Sequence, residues 1–247
     1  MKNIKLLIIG LFSTITITFS SCNELIVVNG TEKMEEKEFE LSNFEHIAIN
    51  NLMEATIVQS DEFKIVVNTN ENVIEYLELN VEDNTLNLKM KSGIFYKGVI
   101  CKATVYMPKL NKIELSGIAK INIEKFRTEE ISLDLYGNTR FKGDIDVKKL
   151  LVQSSGSVRH STGNIKLELK GSAAYANVQM SGESVLTGKD LTVKVLELDS
   201  KGPSKITLGV TDSIKGELEG ASKVIYYGNP AVDNVYISGF AEVKQGK

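Results

Sequence analysis

The sequence predicts an all-β fold: a β-solenoid, or parallel β-helix-like repeat, with a β-rich N-terminal segment, in a single elongated unit. Two observations carry this expectation. Apolar and polar residues alternate along most of the chain, and no segment shows a sustained helical period. From ELSGIAKINI (114–123) onward, one short glycine-centred pattern returns roughly every twenty residues. A sandwich of short strands is the competing architecture, because alternation with glycine turns also describes it.

Residues 1–21 read as an export signal. Lys2 and Lys5 form a positive start, 6–19 is uncharged and largely apolar, and Ser20-Ser21 lead into Cys22. The small-small-Cys ending resembles the lipobox of bacterial lipoproteins, with Phe19 where Leu is more usual. The resemblance implies cleavage before Cys22 and lipidation of its thiol. An ordinary signal peptide beside a chance cysteine is the alternative. Acylation would anchor the chain stably, each buried methylene contributing about 0.8 kcal/mol. Cys101 is then the one remaining cysteine. It sits in a strand-like run, so a buried thiol is expected and no disulfide framework.

Loss of residues 1–21 lowers the net charge from −3 to −5. Basic residues never form a run and Trp is absent, which gives nucleic-acid binding no support. Residues 22–40, with Asn29-Gly30 and the charged TEKMEEKEFE, read as the lipidated cysteine and a polar tether. From 41 to 116 the period is two, as in HIAIN, EATIVQ, FKIVVN, TLNLKM, KATVYM and KIELS. Asn50-Asn51, 60–62 and 82–84 carry turn chemistry, and one helical turn is expected at 72–76.

Residues 117–247 hold the repeat, anchored at Gly117, Gly137, Gly156, Gly171, Gly182, Gly202, Gly220 and Gly239. The 15- and 11-residue spacings around Gly171 point either to a coil of another shape or to an insertion near 174–178. Two residues past each glycine the side chain is small, with one exception, and four past it is bulky. A ribbon of this kind, bent at its glycine, can bury its apolar face only by stacking on copies of itself about 4.8 Å apart.

The chain resembles a family of bacterial lipoproteins described as auto-transporter adhesins with a head-GIN domain, a domain of unknown function common in Bacteroidetes. FEHIAINNLMEATIVQSDEFKIVV (44–67), the stretch from Tyr106 to Gly117, and the Ser-Gly-anchored repeats carry the likeness. It implies a parallel β-helical fold over about residue 40 to the end, and it brings no catalytic residues. Members usually show Gly-Ser-Gly-Asp repeats, whereas 117–119 is Gly-Ile-Ala and 137–139 is Gly-Asn-Thr. A polar ladder of Asp is therefore not expected.

Chemistry is sparse. His46 and His160 are the only histidines, and both fall at strand positions with core or rim neighbours. No nucleophile elbow is present, and two histidines with one spare cysteine make a zinc site implausible. Asp144 and Asp146, two apart on a strand, could share a cation but lack a calcium-type loop. Catalytic, cofactor and metal residues are thus expected to be none. Aromatics such as Phe95, Tyr96, Tyr136, Tyr175, Tyr226, Tyr227, Tyr236 and Phe240 are expected in core or capping roles, Tyr175 in the core, with stacking on sugar rings as the alternative. The feature with most to offer is the position three past the glycine. It holds Lys120, Arg140, Arg159, Lys205 and Lys223, broken at Ala174, Val185 and Glu242. These form an expected outward basic ladder, either merely solvated or a contact stripe for an anionic glycan.

The expected function is accordingly a lipid-anchored protein of the cell envelope that offers a rigid surface for binding or adhesion without catalysis. The outer membrane is the expected location, with the periplasmic or surface face left open. Partners would be the membrane through the lipid, and a glycan or envelope protein. Two rivals stand beside this reading: a carbohydrate-active β-helix enzyme, and a structural or regulatory envelope partner.

Overall fold

Aliphatic and β-branched residues on one face of an extended chain are stabilised only when another strand covers them, so alternation on this scale demands a large sheet. The computed structural model describes residues 26–247 apart from 156, 159 and 160, and the side chains of these apart from 157, 158, 161 and 162. Cys22, the signal segment, Gly156, Arg159 and His160 lie outside the described residues. Among those described the chain is nearly all β, and its one helical element is a 3-10 turn at Ile74–Tyr76, where a helical turn was expected.

Sixteen strands join one open sheet in which most pairs are parallel. Five long strands dominate it: Ile118–Tyr136, Asn138–Ser155, Ile165–Ser181, Ser184–Lys201 and Lys205–Leu218. Each pairs in parallel with the next, so Ile118 lies beside Asn138, Val185 beside Lys205 and Lys205 beside Lys223. Parallel partners need a connection that carries the chain back to its starting end. Here the strands themselves bend, and the register slips where they do, between Ile123 and Phe126 and between Gly188 and Thr192. An antiparallel sandwich is not formed.

The glycine corner superimposes from repeat to repeat. At Gly137, φ is +78°, and an added Cβ would lie 3.0 Å from the Gly117 carbonyl oxygen. That oxygen accepts a hydrogen bond from the Asn138 N–H at 2.9 Å. Backbone stacks directly on backbone here, which leaves no room for a side chain. Below Gly117 the corner is taken by Asn51 at φ +57°, a residue type that tolerates this region. Its N–H donates to the Ser116 carbonyl at 3.3 Å.

Inside, the expected stripes are in place. Ile113, Leu115, Leu133 and Leu135 before the glycines, and Ile121, Phe141, Leu186, Ile206 and Val224 after them, are buried. Burying each such side chain fully stabilises the fold by roughly 1.5–3 kcal/mol. The small corner residues Ala119, Thr139, Ser184, Ser204 and Ser222 are buried too. Ser222 Oγ donates among the carbonyls of Glu219 (2.7 Å), Ser200 (3.0 Å) and Gly202 (3.1 Å). Ser222, and Ser184 with its bond to Ser181 O at 3.0 Å, thus satisfy carbonyl oxygens that the bend would otherwise strand.

The N-terminal half continues the same ladder. His46–Asn50 lies in parallel between Thr85–Met90 and Lys112–Ser116, and Met53–Gln59 lies between Cys101–Met107 and 119–124. Cys101 is buried as expected.

Three expectations need correction. Residues 22–40 are not a free tether over their length. Ile26–Asn29 pairs in parallel with Ile94–Lys97, and Met34–Phe39 pairs antiparallel with Lys64–Asn70. An edge strand is held by its backbone ladder, and a charged sequence is what a solvated edge favours. Lys64 meets Glu38 at 2.6 Å along this edge. Second, the insertion falls at 156–164 rather than 174–178. Ile165–Ser181 pairs 26 positions after its partner, as in Arg140 with Lys166, where the first two long strands pair at 20 and 19. The extra residues include a small antiparallel pair, 157–158 with 161–162. Third, Gly171 belongs to another corner, beside Ile145. Tyr175 consequently leaves the core. It is half-buried, and its hydroxyl donates to Glu197 Oε2 at 2.6 Å.

Candidate functional site: a row of cations

In a parallel sheet, side chains at matched register stand in rows across the strands, about 4.8 Å apart. Following the register through Lys120 gives one such row. Lys120 lies beside Arg140, Arg140 beside Lys166, Lys166 beside Val185, Val185 beside Lys205, and Lys205 beside Lys223. Glu242 ends the row at one side, and Glu54 with Lys102 extends it at the other. Four of the five expected ladder residues are therefore brought together: Lys120, Arg140, Lys205 and Lys223. The fifth, Arg159, lies outside the described residues, and its rung belongs to Lys166.

Lys120, Arg140, Lys166 and Lys205 are exposed. None of them has an ion pair among the described residues, whereas Lys223 reaches Glu242 at 3.4 Å. Lys120, Arg140 and Lys166 line one concavity of about 400 Å³ together with Asn138, Asn164 and Ile118. Lys142, two residues past Arg140, stands on the same outward face and is also without an ion pair among the described residues. Guanidinium, ammonium and amide donors thus converge where no acid of the row stands between them. Such an array offers charge-assisted hydrogen bonds to carboxylate, sulfate or phosphate oxygens.

The opposite charge collects elsewhere. The row through Glu114, Asp134 and Gln153, and its continuation through Asp199 and Glu217, carries four acids. It is largely paired: Lys112 sits 2.9 Å from Asp134 and 3.6 Å from Glu114, which raises the lysine's pKa by hydrogen bond and charge, and Lys201 sits 3.7 Å from Asp199. A chain of net negative charge has therefore gathered several cations into one row of the sheet, while acids prevail in another.

A second concavity, about 620 Å³, is ringed by Glu124, Asp144, Glu168 and Asp190 with Lys125, Lys142, Lys170 and Lys189. Carboxylates here are already engaged where contacts exist, as Asp144 with Lys170 at 2.9 Å. Asp146 accepts from Ser172 at 2.8 Å and meets Arg127 at 3.5 Å, so the two-aspartate cation site is occupied by protein donors. Among the described residues no three His, Cys, Asp or Glu side chains gather as metal ligands, and no helix is long and apolar enough to cross a membrane. His46 is half-buried on its strand.

Lys166 was the residue missed. Counting from a glycine assigns the rung to Arg159, but the alternation that restarts at IKLELK (165–170) puts Lys166 in phase with Arg140. Lys102 and Lys142 were missed for lack of any cross-strand register in the N-terminal half and in the neighbouring row.

Sheet and row together define a class: an all-β protein whose stacked, mostly parallel strands present rigid rows of charge to solvent. Within that class the chain belongs to the family "Putative auto-transporter adhesin, head GIN domain", whose model matches residues 43–230. Solved structures share the fold. A putative adhesin from Bacteroides fragilis is 22% identical, with 89% of this chain and 100% of that one covered and a TM-score of 0.82. A putative lipid binding protein from Parabacteroides distasonis is 17% identical, with 90% and 100% covered and a TM-score of 0.70. A putative adhesin from Parabacteroides merdae is 17% identical, with 90% and 100% covered and a TM-score of 0.65. Among curated proteins no relative matches the chain.

Proposed function

We propose that this chain is a non-enzymatic, lipid-anchored β-solenoid of the cell envelope, and that the face carrying Lys120, Arg140, Lys166, Lys205 and Lys223 binds an anionic polysaccharide. One observation carries the reading: three consecutive rungs, Lys120–Arg140–Lys166, are cationic and have no ion pair among the described residues, on a net negative chain. Parallel pairing of each long strand with the next supports the solenoid, because it demands that the chain return to the same end of the sheet in each repeat. A polymer laid across the strands would meet a cation on five of the six rungs from Lys120 to Lys223, Val185 being the exception, so that individually weak contacts add. Rigid presentation helps, since little ordering entropy is lost at the surface on binding. The adhesin description of the family agrees with a binding role at the cell surface. Cys22 carries the lipid in this reading, and its replacement by Ser should abolish acyl labelling.

Titration with dextran sulfate, with neutral dextran as control, tests the claim. Binding is expected only to the charged polymer and to fall with added salt. Reversal of Lys120, Arg140 and Lys166 together to Glu should weaken it by about tenfold or more, given up to about 1 kcal/mol per exposed charge pair. Equal binding by the triple variant overturns the proposal. Binding to anionic vesicles but not to the polymer would reassign the row to lipid headgroups, the ligand class in the description of the P. distasonis structure.

A further inference from the structure

The last strand of the sheet is Glu242–Gln245, paired among the described residues along one side, with Lys223–Tyr227. On that side the Glu242 N–H donates to Ser222 O at 2.9 Å and the Gly246 N–H to Tyr226 O at 2.8 Å. Backbone groups of successive residues point to opposite sides of a strand. The N–H and C=O groups of Ala241, Val243 and Gln245 therefore point at the open side. Around them the final repeat leaves its apolar side chains uncovered. Val232 and Ile237 stand in register with buried Ile214 and Leu218, yet are 39% and 51% exposed. Phe240 is 90% exposed and Tyr236 68%.

We propose that a second copy of this chain covers this end, the two Glu242–Gln245 strands pairing antiparallel about Val243. The side chains argue for a copy rather than for another partner. In that register Val243 of one chain faces Val243 of the other, and Glu242 of each faces Lys244 of its partner. Ala241–Gln245, Val243–Val243 and Gln245–Ala241 become hydrogen-bonded pairs, using the backbone groups that point outward. A slip by one residue would oppose Val243 to Lys244 and bring a charge to the apolar side. Complementarity of Glu-Val-Lys with itself exists only in the antiparallel sense, which is the sense a two-fold axis imposes. At the other end of the sheet order the edge strand MEEKEF has no such property, since self-pairing about Lys37 would set Glu36 against Glu38. Like charges opposed across strands keep that edge single.

The oligomeric state decides it. The full chain, purified from cells in mild detergent, is run by size exclusion with light scattering over a concentration series. A dimer is expected. Glu242→Lys and Lys244→Glu should each weaken it by about tenfold, since two like-charge contacts replace two opposite ones. The double variant E242K/K244E restores the complementarity and should restore the dimer. Val243→Pro removes one N–H that points outward and should abolish the dimer while the far-ultraviolet circular dichroism stays unchanged. A monomer at every concentration overturns the proposal. So does a dimer indifferent to both single reversals, a double variant no better than the singles, or a different chain held at this end in place of a second copy.

Discussion

Gly216 shows how little freedom a corner of this fold leaves to a single side chain. Its φ is +130°, and an added Cβ would run into the Leu198 carbonyl of the preceding repeat. Gly93 has a similar constraint on φ, +80°, but open space around it. Gly93→Ala should therefore carry only the backbone penalty of about 1 kcal/mol, and Gly216→Ala clearly more, because the clash is with rigid backbone. Urea unfolding of both variants measures the difference, and equal losses would count against backbone stacking at this corner. Cys101 gives a second test at this scale. Burial pushes its thiol up from the ordinary 9.0 to about 11, so the fold favours the protonated form. An unfolded chain ionises this thiol first as pH rises. Stability should fall by about 1.4 kcal/mol per pH unit between roughly pH 9 and 11, relative to Cys101→Ala, and be unaffected below that window. The thiol should resist alkylation until the chain unfolds.

At the scale of the strand, outward rows are tied together by polar contacts that alternation alone does not reveal. Glu197 accepts from the Tyr175 hydroxyl and meets Lys215 at 3.2 Å, and these two contacts, the tyrosine first, hold its carboxyl below the usual range. Tyr175→Phe should let that value rise, and a carboxylate titration by nuclear magnetic resonance would read it. An unchanged midpoint would mean that the tyrosine contact is not maintained in solution. Strand identity and the inward stripes were legible in the sequence, because period-two alternation reports directly on which face is buried. Register was legible only where repeats have constant length. Between Gly156 and Gly182 the insertion breaks the count, so glycine spacing misassigned Gly171, Tyr175 and the rung of Lys166. Polar edge strands such as Met34–Phe39 gave no signal, since their pairing resides in the backbone rather than in side-chain pattern.

Across the whole molecule, segregated charge is the property most relevant to function. The basic row was visible in part because its members share one offset from the glycines, but that Lys120, Arg140, Lys166 and Lys205 have no ion pair among the described residues could be seen only once the neighbouring strands were placed. Salt should affect binding and stability differently. Polymer binding at the cation row weakens with ionic strength, while the apolar core, which carries most of the stability, does not depend on screening. The acidic rows on another face should repel the same polymer. Replacing Asp134 and Asp199 with Asn is therefore expected to leave affinity for dextran sulfate unchanged or slightly higher, measured by the same titration.

Spin labels at positions 120 and 223 address the stacking of the cation row most directly. These residues are 103 apart in sequence, yet they stand five rungs apart on one row. Pulsed electron-electron resonance should return a single narrow distribution near about 24 Å between the backbone sites, the span of five steps of about 4.8 Å, widened only by the label tethers. A broad distribution, or a narrow one centred far from that value, would contradict the register and with it the binding surface.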